Sequence, residues 1–334
     1  KAYVLNLPLS GTLGDALHSL SKRKTGKAQD VIILDLRDQI VQGASLSDAL
    51  DKHRETFSTL YISMVRAGEA SGQLSAVLER LCRHYERMQE AREKVLMALI
   101  YPAIVLSMGI ATMIFTMIFV VPRFAQVFKE MGNVLPLPTR ILIGISSFLL
   151  HYGWFLVLGI VVLVILFRRA INTQIGRRRW DRLKLRFPII RNIITANAFV
   201  QFSRTLESLL SNGVPILQAL TIVQDTVGNV VIADEIRAAR ERVTDGATIS
   251  RPLAQGKVFP VLLTDMLAIG EESGNVAGSL GHIGRRFESD LERSVKVLTT
   301  VLEPILILMM ALMVGFVALS MLLAVFDLTS GLEV

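Results

Sequence analysis

The sequence predicts an all-α membrane protein, with two duplicated helical bundles and three transmembrane helices. Three observations predict it. Three long apolar runs stand in a chain of 334 residues that is 51% hydrophobic and only 19% charged. The polar stretches around them repeat one another at a fixed offset. Within those stretches apolar side chains recur at three- and four-residue spacing, and no segment alternates as a half-buried strand does. A soluble domain spends about a quarter of its residues on charge. With a mean hydropathy of +0.49, the apolar surplus here must face something other than water. That disfavours a wholly soluble enzyme, a disordered chain and a fibre. The single cysteine, Cys82, rules out a disulfide framework and a cysteine-rich zinc domain.

The apolar runs cover residues 95–121, 141–167 and 298–326. Each exceeds the roughly 20 residues that a helix needs to cross about 30 Å of hydrocarbon. In the second run Ser146, Ser147, His151 and Tyr152 suit a boundary, so residues 141–167 read as an interfacial segment followed by a span from Gly153 to Phe167. Basic residues set the orientation. Arg83, Arg87, Arg92 and Lys94 precede the first span; Arg168 through Arg186 follow the second; Arg285, Arg286, Arg293 and Lys296 precede the third. Lys and Arg resist translocation, so these flanks stay in the cytoplasm. The predicted order is a first cytoplasmic bundle (1–94), span one, a short periplasmic loop (122–140), span two, a second cytoplasmic bundle (168–297), span three and a periplasmic tail (327–334). The chain starts at Lys1 with neither Met nor signal peptide, which points to a beginning that is missing or processed. Thirty-six Lys and Arg against 29 Asp and Glu give a net charge of +7. That surplus lies beside the apolar runs, where it anchors to acidic membrane lipids. It forms no basic face interleaved with aromatics, so nucleic acid is not an expected partner.

A shift of about 202 residues overlays the chain on itself. Gly68-Glu69-Ala70-Ser71-Gly72 falls on Gly270-Glu271-Glu272-Ser273-Gly274, Phe57 on Phe259, Met64 on Met266, Leu78 on Leu280 and Pro102 on Pro304. With one gap, Gly43-Ala44 matches Gly246-Ala247 and Ala16-Leu17 matches Ala219-Leu220. Identity at so many fixed offsets marks a duplicated unit. The expected core seams are Phe199, Phe202, Leu206, Leu209 and Leu210 in one copy, and Leu74, Val77, Leu81, Tyr85 and Met88 in the other. Ile232, Ile236 and Val243 form a further stripe.

Catalytic motifs are missing from the sequence. The five histidines are scattered with no metal-ligand spacing. Residues 21–28 resemble a phosphate loop but lack its leading Gly and its closing Ser or Thr. The chain therefore reads as a non-enzyme. Two features stand out. The Gly-Glu-x-Ser-Gly turns (Gly68, Glu69, Gly72; Gly270, Glu271, Gly274) join one helix to the next. Ser71 and Ser273 fall at the N-cap of the following helix, with Glu69 and Glu271 near enough to neutralise its positive end. Glu303 stands just inside an apolar run before Pro304, and a carboxylate at that depth needs protein or headgroups to face. Tyr101 holds its place in the first copy, before Pro102.

Those turns, Tyr101-Pro102, Glu303-Pro304, Val120-Val121-Pro122 and Leu135-Pro136-Leu137-Pro138-Thr139-Arg140 together carry a resemblance, as do Phe187-Pro188-Ile189-Ile190, Phe202-Ser203-Arg204-Thr205-Leu206 and Asn212-Gly213-Val214-Pro215. From Gly11 to Leu328 the chain resembles the inner-membrane platform protein of bacterial type II secretion systems, the GspF family, and the related PilC-like platform of type IV pili. It departs from that family where Ala2 to Ser10 stand in place of a counterpart of the Phe199–Leu210 helix. The resemblance implies a scaffold in the bacterial inner membrane that couples a cytoplasmic secretion ATPase and its membrane recruiter to pseudopilin assembly, and three spans with so few polar groups suggest a homo-oligomer or partner helices. It also implies a calcium site in the first bundle, at Asp15, Glu69 and Gln73, where oxygen ligands suit the ion. A transporter or channel is the competing reading of a different class, with few polar residues in the spans to serve it.

Overall fold

The structure is a computed structural model that describes residues 28–130, 137–244 and 248–331. Every element among the described residues is helical. In chain order these are α1 (Ala28–Val41), α2 (Leu46–Asp51), α3 (Thr59–Ala70) and α4 (Leu74–Phe115), then a π-helical turn (Thr116–Val120) and α5 (Val121–Glu130). There follow α6 (Leu137–Asn172), α7 (Gln174–Lys184), α8 (Pro188–Ser211), α9 (Ile216–Thr226), α10 (Val230–Thr244), α11 (Ser250–Ala254), α12 (Val261–Glu272) and α13 (Val276–Gly331). The chain divides into two units. One joins the described part of Lys1–Glu93 to Asp181–Glu292, and the other joins Lys94–Trp180 to Arg293–Val334.

Local chemistry sets the helix starts. The Ser45 hydroxyl accepts from the Asp48 N–H and the Ser58 hydroxyl from the Tyr61 N–H, so each serine caps a helix. Pro188 opens α8, where its missing N–H costs nothing. The buried Asn229 accepts from the Val231 N–H at 2.9 Å, and Asp181 accepts from the Val230 N–H at 2.9 Å. Together they satisfy the first turn of α10 and tie α7 to it.

In the first unit the two copies share one continuous hydrophobic core rather than holding one each. At its centre is the middle of α8, where every position from Phe202 to Leu206 is buried, with Phe202, Leu206 and Leu209 fully enclosed. Phe199 packs its ring against Phe259 at 5.3 Å and Phe287 at 5.0 Å, and Phe202 meets Phe259 at 5.3 Å. Helix α3 of the first copy packs on α8 of the second, and Leu60, Tyr61, Met64 and Val65 of α3 are all buried. Repeat-related positions keep their places: Phe57 and Phe259 are buried alike, as are Leu78 and Leu280. The expected seams hold except at Met88, which is half-buried and outside the core: Val77, Leu81, Ile232 and Ile236 are enclosed, and Leu74, Tyr85, Leu210 and Val243 lie at the core edge.

In the second unit α4 with its continuation to Gln126, α6 and α13 are each long and apolar enough to cross a membrane. Most of their apolar side chains stay exposed. Helix α6 is continuous from Leu137, so the segment read as interfacial and the segment read as spanning belong to one helix. Its serines donate to backbone carbonyls: Ser147 to Gly144 within the helix at 3.0 Å, and Ser146 to Met117 of the π turn at 2.5 Å. Met117 lies in the π turn, where the i→i+5 register disturbs the carbonyl ladder, so the Ser146 hydroxyl supplies a donor at the place that needs one. Thr139 donates to the Ser320 carbonyl at 2.7 Å. A small core of Met117, Val121, Leu142 and Val317 surrounds these bonds. Span one and span three approach closely at Gly109, where a Cβ would meet the Met310 sulfur at 3.1 Å.

If α8 is the keystone of a shared core, Phe202→Ala should lower the stability of the first unit by about 3–5 kcal/mol, while Leu163→Ala on the exposed face of α6 leaves it nearly unchanged. Urea unfolding followed by pulse proteolysis of the reconstituted protein measures both. Equal, small effects would contradict the assignment.

Candidate functional site

The duplicated Gly-Glu-x-Ser-Gly turn is built the same way twice, each residue type answering a separate need. Gly72 and Gly274 adopt φ of +69° and +71°, the left-handed region that glycine enters without strain. The Gly72 N–H donates to the Glu69 carbonyl at 3.2 Å and the Gln73 N–H to the Gly68 carbonyl at 2.9 Å, closing α3 in a Schellman arrangement. The Gly274 N–H likewise donates to the Glu271 carbonyl at 3.3 Å. Gly68 and Gly270 are required by space. A Cβ on Gly68 would sit 3.0 Å from Val77, and one on Gly270 would sit 2.6 Å from the Ser279 hydroxyl. These glycines let the helices on either side of the turn close tightly.

The glutamates reach elsewhere. Glu69 accepts from the Leu46 N–H at 2.6 Å and the Ser47 N–H at 3.2 Å, at the amino end of α2. Glu271 accepts from the Ile249 N–H at 2.5 Å and the Ser250 N–H at 3.3 Å, and also from the Ser250 hydroxyl, at the amino end of α11. In both copies a half-buried carboxylate satisfies orphan donors and meets the positive end of a helix about one hairpin upstream. This corrects the N-cap reading. Ser71 and Ser273 are carboxy-terminal caps of α3 and α12, donating back to the Gly68 and Gly270 carbonyls. Asn275 caps α13 by accepting from the Gly278 N–H at 3.0 Å. Glu69 and Glu271 neutralise α2 and α11, not the helix that follows the turn.

For calcium, both Glu69 oxygens are committed to backbone donors, Gln73 is exposed, and Asp15 lies outside the described residues. Among the described residues no group of three His, Cys, Asp or Glu side chains comes together. The described members of the set, Glu69 and Gln73, do not form an oxygen cage.

A second cluster escapes sequence reasoning. Arg204 is buried on α8 and grips Glu288 with Nε and Nη2, each at 2.8 Å, while Nη1 reaches Glu207 at 3.1 Å. These bonds raise the guanidinium pKa further against the opposing effect of burial. A cavity of about 280 Å³ opens beside this pair, walled by Arg80, Arg83, His84 and Arg87 of α4, with Met88 and Val200 on its apolar side. Arg80 donates to the Ser211 carbonyl at 2.9 Å and to the Asn212 side-chain oxygen at 3.0 Å, binding the first copy to the end of α8. Burial, with Arg204 and Arg87 nearby, pushes the His84 pKa down from 6.5 to about 4. The sequence carries little signal for this site: Arg204 lies on the face of α8 opposite the Phe199–Leu210 seam, where a charge reads as solvated, and only the fold buries it.

In the second unit the Tyr101 hydroxyl donates to Glu303 at 3.4 Å, so repeat-related positions face each other. Glu303 thus has a protein partner at its depth. Pro102 and Pro304 both lie inside continuous helices.

Comparison with known proteins places this architecture. The profile of the family described as type II secretion system (T2SS), protein F, matches residues 10–122 and again 202–324, once over each copy. A type IV pilus assembly protein PilC of Thermus thermophilus is 37% identical over 97% of this chain and 80% of its own length. A type II secretion system protein F of Xanthomonas campestris is 36% identical over 90% of this chain and 74% of its own. That of Vibrio cholerae is 31% identical over 95% and 78%.

Two outcomes are expected. Glu69→Ala and Glu271→Ala should each lower the stability of the first unit by about 1–3 kcal/mol, with Glu→Gln costing less because one acceptor remains. Unchanged urea midpoints would contradict the capping role. His84 stays neutral in the fold, whereas in the unfolded chain it takes up a proton near its ordinary value. Its contribution to stability should therefore be lost as pH falls from about 6.5 toward 4. His84→Gln should flatten that part of the pH dependence, read as urea midpoints at successive pH values.

Proposed function

The chain belongs to the type II secretion system protein F family, and from that premise we propose that it is an inner-membrane platform on which a secretion pseudopilus or a type IV pilus is assembled. The observation that carries this reading is the pairing of two architectures in one chain. A duplicated polar unit with a single shared core is joined to three helices of membrane-spanning length. Such a molecule is suited to holding other proteins in register. The relative at 37% identity bears a pilus name and the one at 36% a secretion name, so similarity favours neither machine over the other.

The finer reading follows from the charges. The arginine-rich flanks keep both copies in the cytoplasm and leave the segment between spans one and two, with the carboxyl end, in the periplasm. From that position the first unit meets the cytoplasmic ATPase and its membrane recruiter, and the spans meet the pseudopilin or pilin helices drawn into the filament. The exposed apolar faces of α4, α6 and α13 support this, because each needs lipid or a partner helix against it. The same faces support self-association. Work is passed by contact, and no bond is made or broken by this chain.

Deletion of the gene should abolish export of the secreted substrates, or piliation, and the full chain in detergent should co-purify with the ATPase. In a Cys82→Ser background, cysteines placed at Ser71 and Ser273 should label only from the cytoplasmic side. A deletion strain that exports and piliates normally would overturn the platform reading, and periplasmic labelling would overturn the orientation.

A further inference from the structure

We propose that the groove between α4, α8 and α13 in the first unit is a docking site for an acidic segment of a cytosolic partner protein, held by Arg83 and Arg87. The proposal rests on the platform reading, since it supplies the surface by which such a platform would hold a partner.

Charge complementarity carries it. Four arginines and two glutamates line the groove, Arg80, Arg83, Arg87 and Arg204 against Glu207 and Glu288, for a net charge of +2. They are not equally available. Arg204 spends its donors on Glu288 and Glu207, and Arg80 on the end of α8. Arg83 has only an exposed contact with Glu79 at 3.4 Å, of a kind that contributes little and yields readily to a better partner. Arg87 is exposed and makes no ion pair among the described residues. The groove thus has a fixed floor and a free cationic rim.

The spacing selects the ligand. Arg80, Arg83 and Arg87 recur at i, i+3 and i+7, which sets them along one face of α4 over roughly 10 Å. Carboxylates at matching intervals on a helix, or at alternate positions of an extended segment, meet that row, and planar guanidinium forks hold carboxylates two bonds at a time. A compact phosphate dianion entering the cavity would come up against Glu207 and Glu288. Carboxylates meeting Arg83 and Arg87 at the rim avoid them. Met88 and Val200 give the aliphatic part of an acidic side chain a surface to lie on.

The repeat supplies an independent argument. Features that the fold needs recur in both copies, as Gly68, Glu69 and Gly72 recur in Gly270, Glu271 and Gly274. The arginine row does not. Positions 80, 83 and 87 correspond to His282, Arg285 and Ser289. Arg80 is accounted for by its bonds to the end of α8, whereas Arg87 falls on Ser289, so a charge at that position is not a requirement of the repeated bundle.

The test uses the full chain in nanodiscs of zwitterionic lipid, with two probes. One is the purified ATPase of the same machine. The other is a short fluorescent peptide carrying glutamates at i, i+3 and i+7. Arg83→Glu with Arg87→Glu should weaken binding of both by about tenfold or more, and the wild-type affinity should fall steeply as salt rises to about 0.3 M. The control pair Arg251→Glu with Lys257→Glu should leave both close to wild type, and Arg83→Lys with Arg87→Lys should retain most of the binding. Loss of peptide binding in the reversal pair, with no ATPase binding by any form, would support the groove and count against the ATPase as the partner. Absence of peptide binding to the wild type, or a reversal no more harmful than the control, would overturn the proposal. So would pyrophosphate binding that depends on Arg83 and Arg87 while peptide binding does not, since that is a small-anion site.

Discussion

The amino-terminal N–H groups of a short helix have no partner within the helix, and packing such an end against a core leaves little water to serve them. In this protein that need is met twice by a glutamate carried on another helix. Glu69 closes the start of α2 and Glu271 the start of α11. Each bond fixes a short helix against the one that ends in the Gly-Glu-x-Ser-Gly turn, and the turn's glycines let the next helix pack tightly on the same element. Those next helices are α4 and α13, which continue into the second unit. The duplication of that turn is the duplication of the fold.

Around this repeated framework the two copies have diverged in ways that join them. The middle of α8 in the second copy is buried from Phe202 to Leu206, and α3 of the first copy packs on that helix. Arg80 from the first copy bonds the last turn of α8. Neither copy therefore owns its core outright. A platform that must keep its partners in register gains from this arrangement, because two bundles on a flexible tether would let bound proteins drift.

Much of this was legible in the sequence, because it is written in composition and short-range periodicity. The apolar runs, the repeat and the core seams at three- and four-residue spacing all read directly. The readings that needed correction were those where a local rule admits two answers. Ser71 stands between two helices separated by a three-residue turn, and a serine there can end one helix or begin the next; the positive φ of Gly72 decides for the ending. Partners far apart along the chain could not be read at all. Glu69 finds Leu46 across 23 positions, and Arg204 finds Glu288 across 84. Ser146 looked like a boundary residue because its polarity is visible and the Met117 carbonyl that it serves is not.

The central claim is that the two copies fold as one unit on a common core. Native-state hydrogen exchange of the reconstituted protein, followed through sub-denaturing urea, measures it directly. Slowly exchanging amides in α3, α4, α8 and α12 should merge into a single opening with one free energy and one urea dependence. If the amides of α3 and α4 open in a separate event, at lower free energy and with α8 still protected, the copies are independent bundles and the account is wrong.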